Sequence, residues 1–316
     1  MSGHHHHHGH GHDHHHGHDH HAHAAPDLAT PTGVRTYGVA LVINLVFVVI
    51  QVAAGFLANS TALLADATHN LSDVLGLALA GAAAWLATRA ASARRTYGFG
   101  KAGVLAALGN ALLLVAASGA IGWEALRRFG SPETVAPMLV MVTAAAGIVV
   151  NGGTALLFAR SGKADINARG AFLHLMADAA VSAGVIVAGA LIWLTGRSWI
   201  DPVASLVIVA VILWGTWGLL KDSLDLAMDA APNGIDVAAV RAKLAALPGV
   251  AAVHDLHVWA MSPTEPALTA HVVLPEGDGD SFLNAAESAL RDSFGITHIT
   301  LQIERGHRAP CVHAHV

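Results

Sequence analysis

The chain has 316 residues, 54% hydrophobic and only 12% charged, about half the charged share of an ordinary soluble domain, which argues for a membrane protein. Its 17 Lys and Arg against 22 Asp and Glu leave no basic footprint, so no nucleic-acid partner is expected, and the net charge of -5 points to no other partner. The one cysteine, Cys311, excludes an intramolecular disulfide framework and fits a tail on a reducing side of a membrane.

Residues 1–34 form the first segment. It opens with MSGHHHHHGHGHDHHHGHDHHAH, which holds 14 of the 23 histidines among Gly and Asp. Such a tract cannot bury a core, so a His-rich disordered N-terminal arm is predicted. It has neither the basic start nor the apolar centre of a secretory signal. A purification tag would be a plain run with a linker, whereas this tract alternates to residue 23. It reads as a natural metal-buffering arm whose neutral imidazoles hold zinc weakly and exchangeably.

Apolar runs follow at about residues 36–58, 62–88, 101–124, 136–159, 170–195 and 200–220. Each is close to or above the roughly 20 residues that cross a bilayer, so 35–222 is predicted to be a bundle of six transmembrane helices. Asp66, His69, Asp73, Asn110, His174 and Asp178 lie in the second, third and fifth runs, and lipid would not tolerate them facing outward. Nine basic residues lie before the first span, in the second and fourth connections and after the sixth span. Arg127, Arg128 and Arg197 lie on the other side. This imbalance places both termini in the cytoplasm.

Beyond Pro232 charged residues become frequent. Residues 233–305 read as helix, strand, strand, helix, strand. GIDVAAVRAKLAALPGV has helical spacing, AAVHDLHVWAM and PALTAHVVL are strands, DSFLNAAESALRDSF is an amphipathic helix, and THITLQIE alternates like a half-buried strand. The order αββαβ predicts a small cytoplasmic α+β domain of ferredoxin-like kind that lacks a first strand. A Cys- and His-bearing tail occupies 306–316.

Two intervals of four carry the chemistry. His69 and Asp73 in the second span, and His174 and Asp178 in the fifth, each place an imidazole and a carboxylate on one helical face. One such pair can be packing polarity, but two copies on separate helices point to a shared ligand. Two nitrogens and two oxygens in a tetrahedron suit zinc. Magnesium and calcium want more oxygen, and copper(I) wants sulfur that the spans lack. Asp66, three residues before His69, is read as a support of the same face, with hydrogen bonding to nearby backbone or pairing with a loop base as the alternatives.

The stretches STALLADATHNLSD, RRTYGFGKAGVLAAL, AFLHLMADAAVSAGVIVAG, DPVASLVI and HDLHVWAMS, in order between Thr36 and Glu304, resemble the cation diffusion facilitator family of metal/proton antiporters. The resemblance implies a homodimer in the lipid bilayer that exports zinc, and also cadmium (Cd2+), cobalt (Co2+) or nickel (Ni2+), in exchange for protons. It implies a transport site at His69, Asp73, His174 and Asp178. In the cytoplasmic domain it implies metal ligands at His254, His271 and Glu304, with His257, His298, Cys311, His313 and His315 as further candidates. His254 and His257 are three apart and so face opposite sides of a regular strand, unless a bulge intervenes. The second connection, RAASARRTYGFGKAG, has neither histidine nor carboxylate, and the loop site of some family members is expected to be absent.

The function expected is efflux of zinc and other divalent transition metals by proton-coupled alternating access, from a bacterial inner membrane. No enzyme is expected: the chain lacks the His-Glu-x-x-His of a metalloprotease. Axial haem ligation by His69 and His174 would leave the aspartates one turn away unexplained. The alternative is a membrane-anchored metal sensor or buffer that moves no ion.

Overall fold

The computed structural model describes residues 31–131, 133–160 and 166–306. Six long helices come first: α1 (Pro31–Leu57), α2 (Thr61–Ala87), α3 (Ala102–Arg128), α4 (Pro137–Arg160), α5 (Ile166–Thr195) and α6 (Ile200–Ala227). Among the described residues α2 to α6 each contain a stretch long and apolar enough to cross a membrane, and α1 adds a shorter apolar part at Leu41–Leu57. The bundle is apolar on the outside as well as within: Trp214 is 83% exposed, Val149 73% and Trp217 66%. Water would penalise that surface and lipid would not, which explains how a helix can be apolar around its whole circumference.

Helix α2 lies at the middle of the bundle, packed against α1, α3, α5 and α6, while α3 pairs with α6 and α4 with α5. Its start is fixed by Ser60, whose hydroxyl accepts from the Leu63 amide and donates to Asp201 at the head of α6. Asp201 also accepts from the amide and hydroxyl of Thr61. A buried aspartate with three donors is a satisfied helix-end staple between α2 and α6. Helix α6 runs to Ala227, seven residues past the expected lipid boundary at 220. Lys221, Asp222 and Asp225 end the apolar run without interrupting backbone hydrogen bonding.

The second part contains α7 (Val237–Ala245), β1 (Ala252–Ser262), β2 (Glu265–Val273), α8 (Gly279–Phe294) and β3 (His298–Glu304). This is the αββαβ order expected. β1 and β2 form an antiparallel hairpin, and β3 runs parallel to β2 on its other side. The α8 crossover permits that parallel pairing, which no tight turn could make. Helix α8 buries Phe282, Ala286 and Leu290, spaced by four, against Val240, Leu244, Leu268 and Val272. Its first turn is capped by Asp278, and it stops at Gly295, where φ is 68°. A side chain resists that left-handed conformation and glycine does not.

The two parts meet where the connection after α2 touches the β1–β2 hairpin. A cleft of about 450 Å3 lies there, lined by residues from Ala87 to Gly100 and from Ser262 to Glu265. Lys101 at the head of α3 pairs with Asp229 just beyond α6. The side of the bundle that carries this second part is its near side, and the opposite one is its far side.

Candidate metal centre

Helix geometry accounts for the first cluster. An interval of four sets His69 above Asp73 on α2 and His174 above Asp178 on α5, and the two helices run in opposite directions. His69 therefore faces Asp178, and His174 faces Asp73. His69 Nε2 lies 3.0 Å from Asp178 Oδ1 and 3.8 Å from Asp73 Oδ2; His174 Nε2 lies 3.3 Å from Asp73 Oδ2 and 3.6 Å from Asp178 Oδ2. The two rings meet edge to face with centroids 5.8 Å apart. One donor atom from each residue can be chosen so that all lie within 4.8 Å of one another.

Those separations have a coordination meaning. Ligands about 2.0 Å from a tetrahedral zinc are about 3.3 Å from each other, and the four cross-distances straddle that value. Asp178 is 4% exposed at its side chain, whereas Asp73 and His174 are 24% and 23% exposed. The cluster is therefore better covered at its His69–Asp178 rung than at its Asp73–His174 rung.

Neighbouring polar side chains hold α2 in place. Asn110 on α3 donates to Ser72, next to Asp73. Asn70, next to His69, donates to Gln51 on α1. Asp66 accepts from Gln51 Nε2 at 2.7 Å and from Ser182 Oγ on α5 at 3.0 Å. Asp66 and Asn110 thus point inward, as the hydropathy of their spans requires, and the partners of Asp66 are side chains on α1 and α5, where nearby backbone or a loop base was the alternative.

The second cluster lies on the sheet. His254 pairs with His271 across β1 and β2, and their rings meet edge to face at 5.2 Å. Glu304, the last residue of β3, places Oε2 3.1 Å from His254 Nε2 and Oε1 3.4 Å from His271 Nδ1. Removal from water pushes the Glu304 carboxyl upward. The hydrogen bond and charge of His254, with the Gln302 amide and the charge of His271, outweigh that, so it sits below the ordinary carboxylate range. The negative form is the one a cation would meet.

The β1 ladder shifts register between His254 and His257, which pair with His271 and Thr269. Three steps on β1 match two on β2, so a bulge intervenes and returns His257 to the face of His254. The residue that absorbs it is Asp255, at φ 51°. Its carboxylate lies 3.1 Å from His257 Nε2 and 3.6 Å from His271 Nε2. The His257 hydrogen bond is the chief reason its carboxyl sits below the ordinary value.

The cation efflux transmembrane domain matches residues 38–226, and the cytoplasmic domain of cation efflux proteins matches residues 232–306. The chain belongs to the cation efflux family. It is thus a multi-pass membrane protein. The cation efflux system protein CzcD of Alcaligenes sp. strain CT14 is 35% identical over 282 residues, which is 89% of this chain and 88% of that protein. The zinc transporter ZitB of Escherichia coli is 37% identical, covering 82% of this chain and 83% of its own. A cadmium, cobalt and zinc/H(+)-K(+) antiporter of Bacillus subtilis is 35% identical, covering 82% and 85%.

Against the candidates named from this cation efflux sequence, the structure brings His69, Asp73, His174 and Asp178 into one group, and His254, His271 and Glu304 into another. His257 joins the rim of the second through Asp255. His298 is not brought there: it pairs with Ala267 at the opposite end of β3 from Glu304, and its ring meets Tyr97 at 5.6 Å. Cys311, His313, His315 and the His-rich arm lie outside the described residues. Sequence reasoning missed Asp255, whose only signal was its place beside His254 in a strand that needed a bulge.

Proposed function

We propose that this protein exports zinc through the His69, Asp73, His174 and Asp178 cluster in exchange for protons, acting as a homodimer in a bacterial inner membrane with both termini in the cytoplasm. Cadmium, cobalt and nickel fit the same donor set and are secondary cargo. The observation that carries the reading is the set of two imidazole nitrogens and two carboxylates at tetrahedral spacing between α2 and α5. The similarity to proteins named zinc transporter and cadmium, cobalt and zinc antiporter supports the choice of ion. The activity is transport rather than catalysis. We further take 1–34, 35–222, 233–305 and 306–316 as the arm, membrane, cytoplasmic and tail segments.

The mechanism follows from competition for the same atoms. An imidazole nitrogen that holds zinc cannot hold a proton, so loading the cluster expels protons and protonation expels zinc. Two carboxylates within the membrane are costly to leave charged without a cation, so the emptied cluster takes protons for its return. Rocking of α2 and α5 about this site would carry zinc one way and protons the other. The His254, His271 and Glu304 group, with His257 beside it, would bind zinc on the cytoplasmic side; His298, Cys311, His313 and His315 remain lesser candidates.

The test is zinc flux in sealed proteoliposomes with zinc and pH indicators inside. Wild type should move zinc against protons, and Asp178→Ala should lose both signals while remaining a folded dimer. Retained flux in Asp178→Ala would refute the site. Tight zinc binding without flux in wild type would make the protein a sensor or buffer.

A further inference from the structure

Asp66 is a buried ionisable group that the exchange of zinc for protons leaves unused and, unlike Asp201, one whose carboxylate is not fully satisfied by the donors found. It is 0% exposed, lies one turn from His69 toward the far side, and bonds to Gln51 and Ser182, both also 0% exposed. Ser182 lies one turn beyond Asp178 on α5, again toward the far side. Both hydrogen bonds converge on Asp66 Oδ2, and Oδ1 has no hydrogen-bond partner among the described residues. A carboxylate buried with one oxygen unsatisfied costs more than a neutral side chain of similar size, so packing alone does not account for it.

Its surroundings differ on the two sides. Beyond the Asp66–Ser182 bond the helices close on an apolar plug that includes Ala58, Ala62, Val140, Ala144 and Val185, each 1% exposed or less. Gly147 on α4 approaches so closely that a Cβ there would lie 3.0 Å from Phe47 and 3.1 Å from Ser182 Oγ. On the near side of the cluster Asp73 and His174 are about a quarter exposed. The far rung of the cluster is thus covered more fully than the near rung.

We propose that Asp66 is a positioning residue for transport: with Ser182 and Gln51 it clamps α1, α2 and α5 together one turn beyond the metal cluster, and this clamp must release for ions to leave on the far side. The proposal rests on the transport function proposed above. The bond between Asp66 and Ser182 joins the same two helices that supply the four metal-site residues, so opening the exit and reshaping the cluster are one movement. Because both donors meet a single oxygen, Asp66→Asn can keep them, whereas Asp66→Ala loses them.

The test uses the full chain in proteoliposomes, with Cys311→Ser and a reporter Val185→Cys in the plug. An impermeant thiol reagent is applied from the far side, and zinc flux and zinc bound in detergent are measured in parallel. Asp66→Ala should speed labelling about tenfold and slow flux, as loss of a charge-assisted clamp shifts the population toward the open form. Asp66→Asn should stay within about threefold of wild type, and Ser182→Ala, which loses one donor, should fall between. Unchanged labelling in Asp66→Ala would overturn the clamp, as would zinc binding lost in step with flux, which would make Asp66 a ligand. If Asp66→Ala does not fold, Ser182→Ala decides: unchanged labelling there overturns the proposal. Absence of flux in wild type would refute the transport reading instead.

Discussion

Asp255 shows how much a single residue can decide in the smaller cluster. Its left-handed backbone takes up the extra residue of β1, and its carboxylate then reaches both His257 and His271. Asparagine tolerates the same conformation but carries no charge to orient and polarise the imidazoles. Asp255→Asn should therefore weaken zinc binding at His254, His271 and Glu304 about tenfold, measured by competition with a chelating indicator, while the α2–α5 cluster keeps its affinity. His69, Asp73, His174 and Asp178 were legible in the sequence because an interval of four on a helix has one geometric meaning. Asp255 was not, because a bulge is decided by the partner strand as well as by its own chain.

At the scale of elements, helix α8 is a self-contained case. Asp278 caps it by accepting from the Ser281 hydroxyl and from the amides of Ser281 and Asp280, and these bonds hold its carboxyl below the ordinary value. The folded state thus favours the charged form. The cap contributes fully above the ordinary carboxylate range and is lost as pH falls through the lowered folded value. Protection of the first-turn amides of α8 against hydrogen exchange, taken relative to the intrinsic exchange rate at each pH, should fall over that acid window in wild type, and Asp278→Asn should flatten the dependence. At the other end, Gly295→Ala should cost about 1 kcal/mol of stability, read from chemical denaturation of the α+β domain, because alanine resists φ 68°. Leu290→Ala, at a fully buried position, should cost about 2–5 kcal/mol in the same measurement. The helix itself was readable in advance as the amphipathic stretch DSFLNAAESALRDSF, because the spacing of Phe282, Ala286 and Leu290 acts within one element, while its cap at Asp278 and its stop at Gly295 came from the structure.

For the whole molecule the question is how the two parts communicate. A Cβ on Gly100 would lie 2.7 Å from the Met261 carbonyl oxygen, and one on Gly103 would lie 3.2 Å from Pro263 Cγ. The connection before α3 is therefore seated against the β1–β2 hairpin with no room for a methyl group at Gly100. The obstacle there is backbone, so it cannot swing aside as a side chain would. Gly100→Ala should separate the two surfaces and slow zinc flux several-fold in proteoliposomes, leaving zinc affinity at both clusters unchanged. The N-terminal arm belongs to this scale too. Deleting residues 1–23 should lower the apparent affinity for zinc or the rate of flux without stopping it, because a collector supplies ions to a site that works by itself. Complete loss of flux would give the arm a larger part than collecting.

The amino-acid sequence alone determined the order of the described elements, apolar helices followed by αββαβ, because apolar runs of bilayer length and strands of period two are local patterns. It also determined the four residues of the α2–α5 cluster, because the 3.6-residue helical period converts spacing into facing. Only the tertiary structure decided that His69 faces Asp178 rather than its own helix partner. It alone decided that β3 lies parallel to β2 so that Glu304 meets His254 and His271, and that His298 turns to Tyr97. These depend on how separate elements pack. Residues more than a hundred positions apart, such as Asp66 and Ser182, are joined by packing and by hydrogen bonds that no local pattern encodes.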